Sequence, residues 1–394
     1  MLGMDRKLNV LLLHVLFAAS LVCEAQVETF FVPPVQTHPG YDPLEDSSAV
    51  SRNTQVSDGR LFLFIGGSWS SSSTEYNALR LFSAGIGLDF INLSYPNDVA
   101  TASLADEADT LVFDNYRQEL CFGTPLSDAV EVDSLNAIHA RALNLLRYLD
   151  LTYPTQDWEQ YLAGPDALDW SRIVVGGHSQ GSGHACYLAK QFPAERVLMF
   201  SGPNDYSDVH LNAAHWLRQP GVTLVERHFS YLSLNDEAVP YAKQYTVIDG
   251  LGMLANDDST HVDGMTSPYG NSHCLYTTQP PGLVLLDHNV PVMYTATNAS
   301  VWTYMLTSAI STGLREEVFI PDLSVRPNPA HSLVEVVVPE TGDRSSYVLR
   351  DLSGRTVHRG RVPSTALFIL DISGLGTGLY LLEIDGSVVK VVKE

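Results

Sequence analysis

Positive charge is scarce in this 394-residue chain: 23 Lys and Arg stand against 45 Asp and Glu, a formal net charge of −22. Such a surface repels nucleic acid and anionic membrane, so neither is expected as a partner. Cysteine is sparse too, at 4 residues. Cys23 falls in an N-terminal leader, and Cys121, Cys186 and Cys274 allow one disulfide with a free thiol, or no pairing. Cys186, in an apolar helical stretch, reads as a small buried hydrophobe. Beyond the first 25 residues no apolar run is long enough to cross a bilayer. His178 and His184 lack a second Cys, His or Asp pair at zinc spacing. Asp257, Asp258, Asp263 and Gly264 lack the closing Glu of a calcium loop, and neither usual phosphate-binding glycine loop occurs. No metal or cofactor is expected, and the chain holds no internal repeat.

The N-terminal run itself has a purpose. Arg6 and Lys7 precede an apolar stretch from Leu8 to Val22, and small residues flank Glu24 just before Gln26, the pattern of a signal peptide over residues 1–25. The stretch is too short to serve comfortably as a membrane anchor, and Ser20-Leu21-Val22 matches poorly the pattern before a lipidated cysteine. Residues 26–57, rich in Pro, Ser, Asp and Thr without a sustained period, read as a leader or linker draped on the surface.

From Arg60 the texture changes. Apolar runs at Leu61–Ile65, Asp89–Leu93, Arg172–Val175, Arg196–Phe200, Val222–Leu234 and Cys274–Thr277 read as strands. Between them, Tyr76–Ala84, Ser134–Leu151, Gly181–Gln191 and Val301–Ser308 have helical spacing. The alternation predicts an α/β fold over residues 58–316, a mostly parallel sheet with helices on both faces. Four β-branched segments follow: Leu333–Val338, Ser346–Leu352, Leu367–Ile372 and Gly378–Ile384, separated by Gly, Pro and Asp turns. They predict a small all-β, sandwich-like domain over 317–394.

Chemistry concentrates at Gly177-His178-Ser179-Gln180-Gly181. This G-x-S-x-G pentapeptide directly follows an apolar strand and directly precedes a helix, the strand-turn-helix setting of a nucleophile elbow, which makes Ser179 the candidate nucleophile. A serine hydroxyl needs a base to take its proton and an acid to orient that base. Asp236, in Asn235-Asp236-Glu237-Ala238-Val239-Pro240 at a strand's end, is the first choice of acid, with Asp205 after the preceding strand as its rival. Of His261, His273 and His288, the last lies on a loop between the final strand and the closing helix and is best placed as base; His273 is the alternative. Asp287 points away from its neighbour His288, as adjacent residues on an extended segment do. The oxyanion needs backbone donors: the Gln180 amide, and one from Gly66-Gly67-Ser68-Trp69, assigned to Ser68 with Trp69 beside it. Residues 97–133 are long for a connection and read as a lid or a specificity wall.

On these residues, the segment from 58 to about 312 resembles the α/β-hydrolase superfamily. More closely it resembles a group of bacterial hydrolase-like proteins with blocks like Leu93-Ser94-Tyr95-Pro96-Asn97-Asp98, Val175-Gly176-Gly177-His178-Ser179-Gln180-Gly181 and Pro268-Tyr269-Gly270-Asn271-Ser272-His273. The resemblance implies a serine esterase acting on a small-molecule or lipid-like carboxylic ester. One departure is Gly66-Gly67-Ser68-Trp69, where a Pro-Gly-Thr-Gly type of loop is more usual. Residues from about 320 to 394 resemble the C-terminal sorting domain of the type IX secretion system, through Val325-Arg326-Pro327-Asn328-Pro329-Ala330, Asp351-Leu352-Ser353-Gly354-Arg355, Leu375 to Leu381 and Lys390-Val391-Val392-Lys393. That implies export through the outer membrane of a Gram-negative bacterium, with the secretion machinery as partner. Two further readings share the scaffold: a non-catalytic cell-surface binding protein, and a serine peptidase.

Overall fold

The computed structural model describes residues 26–310 apart from 44, 255–258 and 282–285, and residues 324–394 apart from 327, 338–345, 352–353, 363–366 and 385–386. The signal peptide expected over residues 1–25 lies outside the described residues, as do Asp257, Asp258, Pro327, Leu352 and Ser353. The chain divides into two compact units, Met1–Ile310 and Ser311–Glu394.

Among the described residues the main sheet of the first unit has nine strands: β1 (Val27–Val32), β2 (Ser48–Asn53), β3 (Leu61–Ile65), β4 (Asp89–Leu93), β5 (Ile173–His178), β6 (Arg196–Phe200), β7 (His228–Ser233), β8 (Thr260–His261) and β9 (Cys274–Thr277). They form one sheet in the order β1-β2-β4-β3-β5-β6-β7-β9-β8. Every pairing from β4 to β8 is parallel, whereas β1 and β2 run antiparallel at one edge. Central strands such as Leu-Phe-Leu-Phe-Ile in β3 are buried along their whole length, because a parallel sheet has helices on both faces. Alternate residues divide between two cores. Phe62, Phe64, Phe90, Val174 and Phe200 pack with helices α1 (Asn77–Gly85) and α6 (Ala296–Thr307). Leu63, Ile65, Ile91, Val175 and Met199 pack on the opposite face with α2 (Val112–Phe122), α3 (Ile138–Thr152), α4 (Gln180–Gln191) and α5 (Tyr241–Gly250).

Three expectations need correction. Residues 26–57 are not a drape: β2 pairs with β4 and β1 with β2, and the Arg80 guanidinium of α1 ties Thr29 and Ser51 together. The pattern hid them because β2 reads Ser-Ala-Val-Ser-Arg-Asn, small and polar, its Ser51 hydroxyl accepting from that arginine. The strand expected over Val222–Leu234 begins only at His228, after a short helical turn at Val225–Arg227. Within residues 97–133, α2 is no lid: its Phe113, Tyr116, Arg117 and Leu120 are buried in the domain interior. Burying a large apolar side chain contributes about 1.5–3 kcal/mol, so that segment is an integral layer of the domain.

The second unit is all-β. A three-stranded sheet, β10 (Ser324–Arg326), β11 (Leu333–Val337) and β14 (Leu367–Asp371), has the order β10-β11-β14. A four-stranded one, β12 (Ser346–Asp351), β13 (Thr356–Arg361), β15 (Gly378–Ile384) and β16 (Ser387–Lys393), has the order β13-β12-β15-β16. The pairings between these strands are antiparallel, and Val334, Val336, Leu349, Leu382 and Val391 share one core.

Candidate active site

The C-terminal ends of the parallel strands carry the chemistry. Ser179 stands between β5 and α4 with φ 55° and ψ −124°, a left-handed conformation that costs a non-glycine residue about 1–3 kcal/mol. The surroundings over-determine it: the Ser179 amide donates to the Phe200 carbonyl at 2.8 Å, and its own carbonyl accepts from the Ser182 amide at 3.1 Å and the Ser182 hydroxyl at 2.5 Å. Gly181 makes the crossing possible. A Cβ there would run into the Ile65 and Gly66 carbonyl oxygens, so α4 passes directly over the end of β3.

His288 lies on a helical turn at Asp287–Val292, and its Nδ1 is 2.6 Å from Asp236 Oδ2. Asp236 follows β7 in a turn whose Ala238 and Val239 amides each donate to Oδ1 at 2.9 Å, while Gln244 Nε2 donates to Oδ2 at 2.8 Å. Burial pushes this carboxyl up, but the His288 contact and the Val239 and Gln244 donors outweigh it, so it lies below the usual carboxylate range. An ionised Asp236 fixes the His288 proton on Nδ1 and leaves Nε2 as the basic nitrogen. The next residue clamps the same loop: the Glu237 carboxylate accepts from the Asp287 and His288 amides, at 3.1 Å each.

The elbow also grips that loop from below. The His288 carbonyl accepts from His178 Nε2 at 3.0 Å and from the Ser201 hydroxyl at 2.6 Å. With its proton on Nε2, His178 accepts at Nδ1 from the Tyr76 hydroxyl, 3.1 Å away, which in turn accepts from the Gly67 amide at 3.0 Å. Burial, reinforced by the neighbouring His288, pulls His178 down to about 3, which keeps it neutral. His178 thus joins the His288 loop to the loop after β3.

Ser179, His288, Gln180 and Ser68 line one cleft of about 360 Å³, with Trp69, Ala100, Thr101, Asn204, Val239 and Leu286. The Ser179 hydroxyl oxygen accepts from Asn204 Nδ2 at 3.2 Å; no direct bond to His288 is formed among the described residues. Two loops meet at Gln180, whose Oε1 accepts from the Ser68 hydroxyl at 2.7 Å and the Thr101 amide at 2.9 Å. The Gly67 amide is taken by Tyr76 and the Trp69 amide by Asn97 O at 2.9 Å. The Ser68 amide has no such acceptor among the described residues. Trp69 itself stands at the rim, 70% exposed, its indole N–H donating to Asp98 O.

The alternatives lie elsewhere. His273 stacks on Phe229 with ring centroids 4.0 Å apart, and its carbonyl accepts from the Ser230 amide at the N-terminal end of β9, the far edge of the sheet from Ser179. Asp205 is buried against Arg117 in a two-pronged ion pair, Nε to Oδ2 at 2.9 Å and an Nη to Oδ1 at 2.5 Å, and Trp216 Nε1 takes Oδ2 at 2.8 Å. It holds Arg117, which reaches the Gln180 carbonyl at 2.9 Å, rather than an imidazole. His261 pairs with Asp263 and Thr278. Sequence reasoning missed Arg117, Gln244 and Asn204; only Asn204 left a signal, as the neighbour of the rival acid Asp205. Among the described residues no cluster of three or more His, Cys, Asp or Glu is placed to hold a metal, and no helix is long and apolar enough to cross a membrane. Cys121, Cys186 and Cys274 are all buried.

A parallel sheet with two antiparallel strands at one edge, helices on both faces and a serine on a strained strand-to-helix turn define an α/β-hydrolase fold for the first unit. Residues 324–394 match the secretion system C-terminal sorting domain, which makes the protein an exported one, released or held at the cell surface. Solved structures similar to this chain include a cold-adapted esterase from an Arctic intertidal metagenomic library, 13% identical over 57% of this chain and 80% of that one, TM-score 0.32. Others are esterase B from Lactobacillus rhamnosis (12% identity, 68% of this chain and 84% of that one, TM-score 0.34) and an S-formylglutathione hydrolase from Agrobacterium tumefaciens (14%, 64% and 84%, TM-score 0.33). No curated protein matches the chain.

Proposed function

We propose that the first unit is an exported serine esterase that cleaves a carboxylic ester through an acyl-enzyme. The observation that carries this reading is the 2.6 Å His288–Asp236 contact on the same cleft as a serine held at φ 55°. In the proposed cycle Ser179 Oγ attacks the ester carbonyl and His288 Nε2 takes the hydroxyl proton. Asp236 holds the imidazolium, and the Gln180 and Ser68 amides receive the oxyanion. His288 then protonates the departing alcohol, and water, deprotonated by the same nitrogen, releases the acid. The exposed Trp69 and Leu286 at the rim suit an ester with an apolar portion. The whole exported chain, treated with a fluorophosphonate probe, is expected to be labelled, and Ser179→Ala to abolish both labelling and p-nitrophenyl acetate hydrolysis. Labelling that persists in Ser179→Ala overturns the reading.

A further inference from the structure

We propose that Asn204 is a further catalytic residue, whose amide N–H stabilises the serine oxygen as it leaves during acyl-enzyme breakdown; this rests on the esterase reading above. Asn204 follows β6 on the loop next to the elbow, is 8% exposed, and its Nδ2 lies 3.2 Å from Ser179 Oγ, the only side-chain partner of that hydroxyl among the described residues. Its loop is fixed from both sides. The Asn204 carbonyl accepts from the Tyr206 amide at 2.9 Å, and the adjacent Asp205 is locked in the buried pair with Arg117. The amide therefore reaches the reacting oxygen from a rigid support.

The timing of that bond decides what it does. In the free enzyme the serine oxygen is a hydroxyl, already a good acceptor, so attack strengthens the contact only modestly. In the acyl-enzyme the same atom is the singly bonded oxygen of an ester, a poor acceptor. When water has added and the tetrahedral species collapses, the C–Oγ bond breaks and its electron pair returns to Oγ. The His288 imidazolium then supplies the proton. A donor on Oγ gains most across that step, since hydrogen bonds to developing anions are roughly twice as strong as neutral ones. Pointing N–H rather than C=O at Oγ also leaves the hydroxyl proton free for His288. The Asn204 Oδ1 is buried and has no hydrogen-bond partner among the described residues.

Stopped-flow p-nitrophenyl acetate hydrolysis by the whole protein separates acylation from deacylation. For Asn204→Ala the deacylation constant is expected to fall about tenfold or more while the acylation constant changes less than about threefold. Asn204→Asp, close to the same shape, also lacks the N–H and adds an acceptor for the hydroxyl proton. It should lose deacylation equally and slow fluorophosphonate labelling as well. In Asn204→Ala a merely structural role would lower both constants together, and that result, or no change in either, overturns the proposal. Should Asn204→Ala melt early, Asn204→Leu, close in volume and without the N–H, reads the same ratio. Wild-type protein that is labelled yet shows no change in ratio in the variants overturns this proposal alone; wild-type protein that is never labelled overturns it together with the esterase reading.

Discussion

Three imidazoles are buried in the hydrolase unit without a carboxylate against them. Burial brings His178 down to about 3 and His228 to about 4, and His184, beside Arg117, well below its ordinary value. Unfolding exposes them at about 6.5, so between these values the unfolded chain binds more protons than the folded one. Stability from these groups is therefore complete above about pH 6.5 and is lost as pH falls toward 4, at about 1.4 kcal/mol per pH unit for each histidine. Asp236, held low, adds to the loss at more acid pH. Asp89, which burial raises to about 6, works the other way as it gains a proton. Urea unfolding between pH 7 and 5 should show the decline, and His184→Phe should flatten its slope by one histidine's share; an unchanged slope in that variant speaks against the assignment. At this scale the sequence was most legible where chemistry dictates order. A nucleophile on an elbow calls for an acid at a later strand end and a base on a later loop, which points to Ser179, Asp236 and His288. Arg117 and Gln244 carry no such demand. Their partners, Asp205 and Asp236, lie on other segments of the chain, and a lone Arg or Gln in a helix looks like a solvated side chain until the helix is folded inward.

Among the elements, α2 departs furthest from its reading. A polar-looking segment becomes a core layer because one charge is neutralised inside it: Arg117 and Asp205 are each 0% exposed as side chains and form a 2.5 Å ion pair. Arg117→Met would strand the Asp205 carboxylate in the interior, at a cost of about 3–5 kcal/mol, read by urea unfolding. Asp205→Asn in the Met background should recover part of that loss, and a double variant no more stable than Arg117→Met argues against the pair as the cause. The strands β3, β4 and β9 end where their apolar runs end, since nothing but burial sets their limits. β1 and β2 were invisible for the opposite reason. β2 carries no apolar run although it is paired on both sides, and its Ser51, with Thr29 of β1, meets Arg80 where apolar side chains would otherwise pack.

At the scale of the whole molecule two textures coexist: buried, continuous apolar strands before Ile310 and short alternating antiparallel strands after Ser324. That contrast was plain in composition, because parallel and antiparallel sheets place their apolar residues differently. The second unit carries the export signal and the first the cleft, whose rim exposes Trp69 and Leu286. The buried anchoring of Arg117 has one more consequence. Residues 100–102, which wall the cleft, run into a helix that cannot swing outward without dragging a charge from the interior. Entry to Ser179 is consequently governed by side chains at the mouth, and a lipid–water boundary has nothing to open. Hydrolysis of a short triacylglycerol should rise smoothly as the substrate passes from dissolved molecules to droplets, without the jump in rate that marks interfacial activation. A jump there would mean that this wall moves.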